Sequence, residues 1–431
     1  MNAHPLRTVL HDEVHTRPRP HVAAPHAMVH VSVLHPAGSK PRVPAGLADW
    51  LAEQGLPPPA SAQSHIDAES GALRVKWERH GEFDDLTVYA AGPLQADPFA
   101  AGVADTLMAR LLGDEGEVIA ALRIAVLPVA ADPSATFNRA QAVSSFDAGG
   151  LVGATISDND AAVYSDFRLD AQGYGRVLVQ DHATHPGQMG RAVQRIIEIE
   201  VYRMMSMLAF PQARTMAAEL DRAEVALSAL VARLDVAPET EEPELLRQLT
   251  GLSASIEQLA TGTAFRMSAA RAYRTLVRQR GVELRQGRLP GLQTLTEFLE
   301  RRFEPAMAYC DAVTTRMGAI SERISRASAL LGTRVEIERE RQNQALLAAM
   351  NRRAALQLRL QETVEGLSVA AIAYYATGLV GYVFKAGADA GLKIDPEVAT
   401  GLAVIPIVAG VALALRAARR RLGKRSTDAQ G

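Results

Sequence analysis

Leu367–Phe384 reads LSVAAIAYYATGLVGYVF, a run of 18 residues without a charged side chain. A second run of the same length, Val398–Leu415, reads VATGLAVIPIVAGVALAL. A helix that crosses a bilayer needs about 20 mostly apolar residues, with about 17 as the lower limit. Each run meets that limit when flanking side chains snorkel toward the interface. Two equal runs this close together, ending in a basic block, read as a transmembrane hairpin rather than a buried core hairpin. The block is RAARRRLGKR, with Arg416, Arg419, Arg420, Arg421, Lys424 and Arg425. Between the runs, Lys385–Glu397 carries two lysines against three acids. Positive flanks stay inside, so both termini are expected on the cytoplasmic side of a cytoplasmic (inner) membrane. The basic tail can also attract anionic headgroups, which makes the lipid bilayer the first expected partner. The opening MNAHPLRTVLHDEVH lacks an apolar core segment, so no signal peptide is expected. Inside the first span, Ala373, Thr377 and Gly381 recur at every fourth position. Small residues at that spacing let helix backbones approach, for self-association, for a pore-lining face or for packing against the second span. Pro406 is expected to kink the second span.

The rest of the 431-residue chain is large enough for further domains. It carries 46 Lys+Arg against 48 Asp+Glu, a net charge of −2 that excludes a generally basic nucleic-acid binder. One cysteine, Cys310, excludes a disulfide framework, fits a reducing compartment and reads as a packing residue. Residues 1–185 read as a cytoplasmic α/β domain. Strands are expected at 28–34, 72–78, 85–90, 121–129, 151–157, 162–169 and 176–180, each rich in Val, Ile, Leu or Tyr and bounded by turn residues. Helices are expected at 45–54 and 98–112, the latter with Asp97 as N-cap and Pro98 at its first position.

Residues 187–365 read as helical. Pro211 divides two helices near 190–209 and 212–235, and another runs from Glu244 to about Arg285. Thr294 and Glu297 form a capping box, and Glu304-Pro305 marks a break or restart. From Pro305 to Phe384 no further proline occurs, so 80 continuous helical residues would reach roughly 120 Å. Val313, Met317, Ile320, Ile324, Ala327 and Leu331 alternate by four and three, a heptad seam. The expected fold class is therefore α+β: an N-terminal mixed α/β domain, long antiparallel helices in a coiled-coil stalk (187–365), a transmembrane hairpin (366–415) and a basic cytoplasmic tail (416–431).

Candidate chemistry centres on histidine. Seven of the eleven histidines lie before residue 36. His11, Glu13 and His15 would share one face of a strand and hold Zn²⁺ or another borderline divalent metal, joined by His182 and His185 if the N-terminal segment packs near the helix that follows them. The alternative is that His11 and Glu13 pair with Arg17 and organise a loop. Asp181–Gly190, before a helix whose first turn holds Arg191, is a weak anion-binding signal. Gly149-Gly150-x-x-Gly153 reads as a turn entering a strand. Arg266, Arg271, Arg274, Arg278, Arg280 and Arg285 form a basic stripe, read either as an anionic-partner surface or as a face pairing with acids of neighbouring helices. No G-x-S-x-G, H-E-x-x-H or C-x-x-C is present, and no enzymatic activity or organic cofactor is expected.

The phrases LHDEVHTRPRP (Leu10–Pro20), NRAQAVSSFDAGG (Asn138–Gly150) and LQETVEGLSVAAIAYYATGLVGYVFKA (Leu360–Ala386) resemble, over nearly the whole chain, a bacterial family of membrane-anchored proteins designated domain of unknown function 3422. That resemblance implies a membrane anchor and no assigned catalytic residues. In architecture the chain is similar to the CorA-type magnesium channels, whose first span ends in Gly-Met-Asn. Here Gly381, Tyr382 and Val383 stand at those positions. Val383 has no amide oxygen for a hydrated cation, so the similarity implies the scaffold and an altered filter rather than magnesium selectivity. The expected function is that of a self-assembling, homo-oligomeric scaffold or sensor on the membrane, with an altered CorA-like channel and a histidine metalloenzyme as alternatives.

Overall fold

A computed structural model describes residues 4, 6–7, 11, 20–35, 42–59, 63–113, 116–129, 139–146, 149–390 and 394–427. They fold into two compact units, Met1–Ala237 with Pro243–Ala329, and Pro238–Glu242 with Leu330–Gly431.

The first unit is built on a nine-stranded mixed sheet. Its strands are β1 (His26–Leu34), β2 (His65–Ser70), β3 (Leu73–Arg79), β4 (Phe83–Ala91), β5 (Glu117–Pro128), β6 (Val152–Ile156), β7 (Ala161–Leu169), β8 (Gly175–Asp181) and β9 (Gly287–Arg288), in the order β2-β3-β4-β1-β5-β8-β7-β6-β9. The central β5–β8 pair is parallel, and it joins two antiparallel halves. The seven strands expected from apolar runs are all present within a few residues. Two were not foreseen. The sequence HIDAES of β2 carries few aliphatic side chains, as suits an edge strand. The two residues of β9 are too short to leave a pattern.

Strand alternation assigns each side chain a face. In the β1–β4 half, Val29, Val31, Val75, Trp77, Leu86 and Val88 point one way, into a core closed by α1 (Ala45–Glu53) and α2 (Val103–Leu112). That core includes both tryptophans, Trp50 and Trp77. The helix α2 begins five residues later than Asp97-Pro98 suggests. Asp97 instead accepts from the Phe99 amide in a local turn, and the Gly102 amide is taken by Asp105. A short helix, α3 (Arg139–Ser145), follows β5.

The helices of this unit then run in sequence. They are α4 (Pro186–Met207), α5 (Ala209–Val236), α6 (Glu242–Glu283) and α7 (Leu295–Arg302). The break between α4 and α5 falls at Leu208, so Pro211 sits in the first turn of α5, where its missing N–H costs nothing. The capping box before α7 is formed on both sides: the Glu297 amide donates to Thr294 Oγ1 at 3.1 Å, and the Thr294 amide to Glu297 Oε2 at 3.0 Å. α8 (Glu304–Asp389) is one uninterrupted helix of 86 residues. Of the proposed seam, Val313, Ile320, Ile324, Ala327 and Leu331 are buried. Arg316 on the same helix reaches Asp221 and Glu224 of α5.

In the second unit, the C-terminal part of α8 and the helix α9 (Pro396–Thr427) are each long and apolar enough to cross a membrane, with mean hydropathy of 1.6 and 2.4 in their most apolar windows. α9 continues through Pro406.

Candidate functional site

The other face of the β1–β4 half carries polar groups. His30, Ser32, Lys76, Glu78, Asp85, Thr87 and Tyr89 follow from the alternation that sends their neighbours into the apolar core. Two registered rows cross the sheet there: His30–Thr87–Lys76, and Ser32–Asp85–Glu78. A polar sheet face is ordinarily wet. This one is covered by α4 and α6, and His30, Ser32, Lys76 and Thr87 are all 5 % exposed or less.

A cavity of about 230 Å³ lies between sheet and helices. The strands contribute His30, Lys76, Glu78, His80, Asp85, Thr87 and Tyr89. Gln194, Ile197, Glu198 and Tyr202 come from one face of α4, and Arg280 from α6. Stacking of Tyr202 on Tyr273 (centroids 5.6 Å apart) ties α4 to α6, and Tyr273 Oη donates to Glu82 Oε2 at 2.8 Å in the β3–β4 turn. Arg266 holds the same Glu82.

Hydrogen bonds in the wall have a definite direction. Ser32 Oγ donates to Asp85 Oδ1 at 2.5 Å, so its oxygen accepts from His30 Nε2 at 3.0 Å. His30 Nδ1 is then the acceptor from Thr87 Oγ1 at 2.8 Å. The imidazole is therefore a neutral Nε2–H tautomer, assigned from the network. Burial pushes the His30 pKa below the ordinary histidine value, despite the opposing pull of Asp85 and Glu78. Burial alone would raise the Asp85 carboxyl, but the hydrogen bond from His80 and the charge and hydrogen-bond partners His30 and Ser32 hold it below the usual carboxylate range. His80 Nε2 lies 3.2 Å from Asp85 Oδ2. Burial raises the phenols of Tyr89 and Tyr202, keeping both protonated at neutral pH. Lys76 Nζ pairs with Glu78 Oε2 at 2.8 Å, and Arg280 pairs with Glu198 and, at 2.9 Å, with Glu283.

This site differs from the one the histidine spacing suggested. His11 is exposed, and Glu13 and His15 lie outside the described residues. His182 is half-buried. His185 is the N-cap of α4, where its Nδ1 accepts from the Gly187 amide at 3.2 Å. Residues 20–22 meet that helix start: the Val22 amide donates to the Pro186 carbonyl at 3.0 Å, and a Cβ on Gly190 would lie 1.7 Å from the Pro20 carbonyl oxygen. Among the described residues no three His, Cys, Asp or Glu side chains are grouped to hold a metal ion.

The six arginines of the basic stripe all meet carboxylates. Arg266 pairs with Glu82, Arg271 and Arg274 with Asp311, Arg274 and Arg278 with Glu304, Arg280 with Glu198, and Arg285 with Asp158. Gly153 lies within β6, where a Cβ would press on the Tyr164 ring at 2.7 Å. Cys310 is buried, and burial pushes its thiol pKa up. In the second unit Ala373 is buried, and Thr377 and Gly381 are half-buried. A methyl on Gly381 would sit 3.3 Å from Thr400 Cγ2 of α9, whereas Tyr382 and Val383 face outward, 76 % and 68 % exposed.

The fold and site thus define a mixed α/β protein with a covered polar cavity and two long apolar helices. The chain belongs to the family described as Protein of unknown function (DUF3422), whose sequence profile matches residues 2–422. No curated protein matches it.

Proposed function

We propose that the protein is a membrane-anchored sensor with no catalytic activity of its own. The cavity receives a small polar molecule. The apolar helices of α8 and α9 fix the chain in a bacterial cytoplasmic membrane, with both termini on the inner side. The observation that supports the sensing role is the covered polar sheet face. Burying charged groups is costly unless they are paired, and cores of apolar side chains do the same structural work at lower cost. A fold that keeps Lys76, Glu78, Asp85 and His30 around a cavity is arranged for recognition. α6 offers a mechanical path. Its Arg280 lines the cavity, while Arg274 and Arg278 on the same helix grip Glu304 and Asp311 at the start of α8. The same α8 carries the first apolar window.

Two measurements test the proposal. After cell breakage and an alkaline carbonate wash, the full chain is expected in the membrane pellet and released only by detergent; release into the wash overturns the anchor. The detergent-purified full chain is expected to melt at a higher temperature in the presence of a small-molecule extract of its host cells. That gain should disappear in Lys76→Met. A wild-type melt indifferent to every extract fraction overturns the sensing role.

A further inference from the structure

We infer that the cavity ligand is an organic cation that presents a primary ammonium to Asp85. This rests on the sensor reading and names its class of ligand. The charges around the cavity pair off with one left over. Lys76 meets Glu78 at 2.8 Å. Arg280 and Arg195 between them hold Glu198 and Glu283, two guanidiniums against two carboxylates. Asp85 remains. Its partners are Ser32 Oγ at 2.5 Å, His80 Nε2 at 3.2 Å and His30 Nε2 at 3.6 Å, and among the described residues no lysine or arginine pairs with it. His30 is the neutral tautomer fixed by Ser32 and Thr87, so it brings no charge. A carboxylate in a covered site without a fixed counter-charge is costly. A guest ammonium supplies that charge, whereas a guest carboxylate would add to the excess.

The surroundings suit that group. Asp85 lines the cavity and is held below the usual carboxylate range, so it stays ionised at neutral pH. An ammonium brings three donors and no acceptor, and its hydrogen bond to a carboxylate is charge-assisted. Tyr89 and Tyr202 line the same space, and aromatic faces attract a cation. Tyr202 is stacked on Tyr273, its ring centroid 5.6 Å away, which fixes its plane. Burial above all keeps both phenols protonated, so neither takes a charge that rivals Asp85. Lys76 occupies Glu78 and Arg280 occupies Glu198, which confines the ammonium to Asp85. A proton on His80 would supply the same charge, so His80 and the guest compete for one carboxylate. A metal ion fits less well, since no three metal-ligating side chains are grouped among the described residues.

The test uses the detergent-purified full chain at about pH 8, where an imidazole of ordinary pKa is uncharged. Thermal melts and titration calorimetry are run with the hydrochlorides of ethylamine, butylamine, hexylamine, ethanolamine and 1,4-diaminobutane, against potassium chloride at equal ionic strength. At least one amine is expected to bind. Its alcohol analogue, with hydroxyl in place of ammonium, should bind about tenfold more weakly or worse, the loss of one charge-assisted hydrogen bond. The α-amino acid that adds a carboxylate to the same chain should also bind more weakly. Asp85→Asn should weaken the amine by tenfold or more, with circular dichroism reporting whether the variant is folded; the analogue comparison needs no variant and decides alone if it is not. An alcohol or amino acid that binds as tightly as the amine overturns the inference, as does a folded Asp85→Asn that keeps full affinity or potassium ions that stabilise as well. So does the absence of any bound amine; if a cell extract still stabilises the wild type, the ammonium ligand falls and the sensor stands.

Discussion

His30 and Asp85 show how single residues on the covered sheet face set the behaviour of the fold. His30 is neutral in the native state because burial lowers its pKa, with Asp85 and Glu78 opposing and His80 and Lys76 reinforcing that shift. The unfolded chain takes up a proton there below about pH 6.5 while the native chain does not. Stability should fall on acidification, by up to about 1.4 kcal/mol per pH unit for this one group. His30→Gln should flatten the slope between neutrality and pH 5, read from urea unfolding by fluorescence of the buried Trp50 and Trp77. Asp85 acts in the same direction at lower pH: its folded value is depressed, so its contribution is present above the ordinary carboxylate value and lost as pH falls through the native one. Gly190 is a second sensitive position. Its missing side chain admits the Pro20 carbonyl, so Gly190→Ala should cost about 1–3 kcal/mol by the same unfolding measurement.

At the scale of elements, the capping box is a local device with a local cost. Thr294→Ala should destabilise by about 0.5–2 kcal/mol, while Thr294→Ser should recover most of it. Between elements, the contact of α6 with α8 rests on Glu304, whose carboxyl burial would raise but which Arg278 and Arg274 hold below the usual range. A double-mutant cycle of Arg274→Ala and Glu304→Ala should give a coupling of about 0.5–3 kcal/mol in urea unfolding; additivity would remove this contact from the proposed relay. The elements were largely legible in advance, because apolar runs and proline positions report local structure directly. The site was less so. VHVSV in β1 and DDLTVYA in β4 alternate in the same way whether the polar face meets water or a helix. The deciding information lies more than 100 residues away in Gln194, Glu198 and Tyr202. A faint signal was present: Gln194, Glu198 and Tyr202 recur at i, i+4 and i+8, a polar row beside the buried apolar positions Val193, Ile197 and Val201. The histidines cluster in composition, and of these His185 caps α4 through its Nδ1.

For the whole molecule, the membrane reading makes a topological prediction. Replacing Arg416, Arg419, Arg420 and Arg421 by glutamine should weaken or invert the orientation of the helix pair, read by protease or labelling access from each side of the membrane. The same reading includes self-association, so cross-linking in native membranes should give discrete species larger than one chain; a monomer at all cross-linker concentrations would remove it. The paired arginines along α6, and Arg285 just beyond it, bear on the molecule as a whole too. With all six meeting carboxylates, the helix surface that looks basic in one dimension is close to neutral in three.

The covered polar face has an evolutionary corollary. Leucine or methionine in place of both members of the Lys76–Glu78 pair would remove desolvation penalties and should make the scaffold hardier. A laboratory selection for heat resistance alone ought therefore to drift toward greasy replacements at these positions and to lose recognition as it does so. Retention of the ionic pair under such selection would require a second, concurrent demand for ligand.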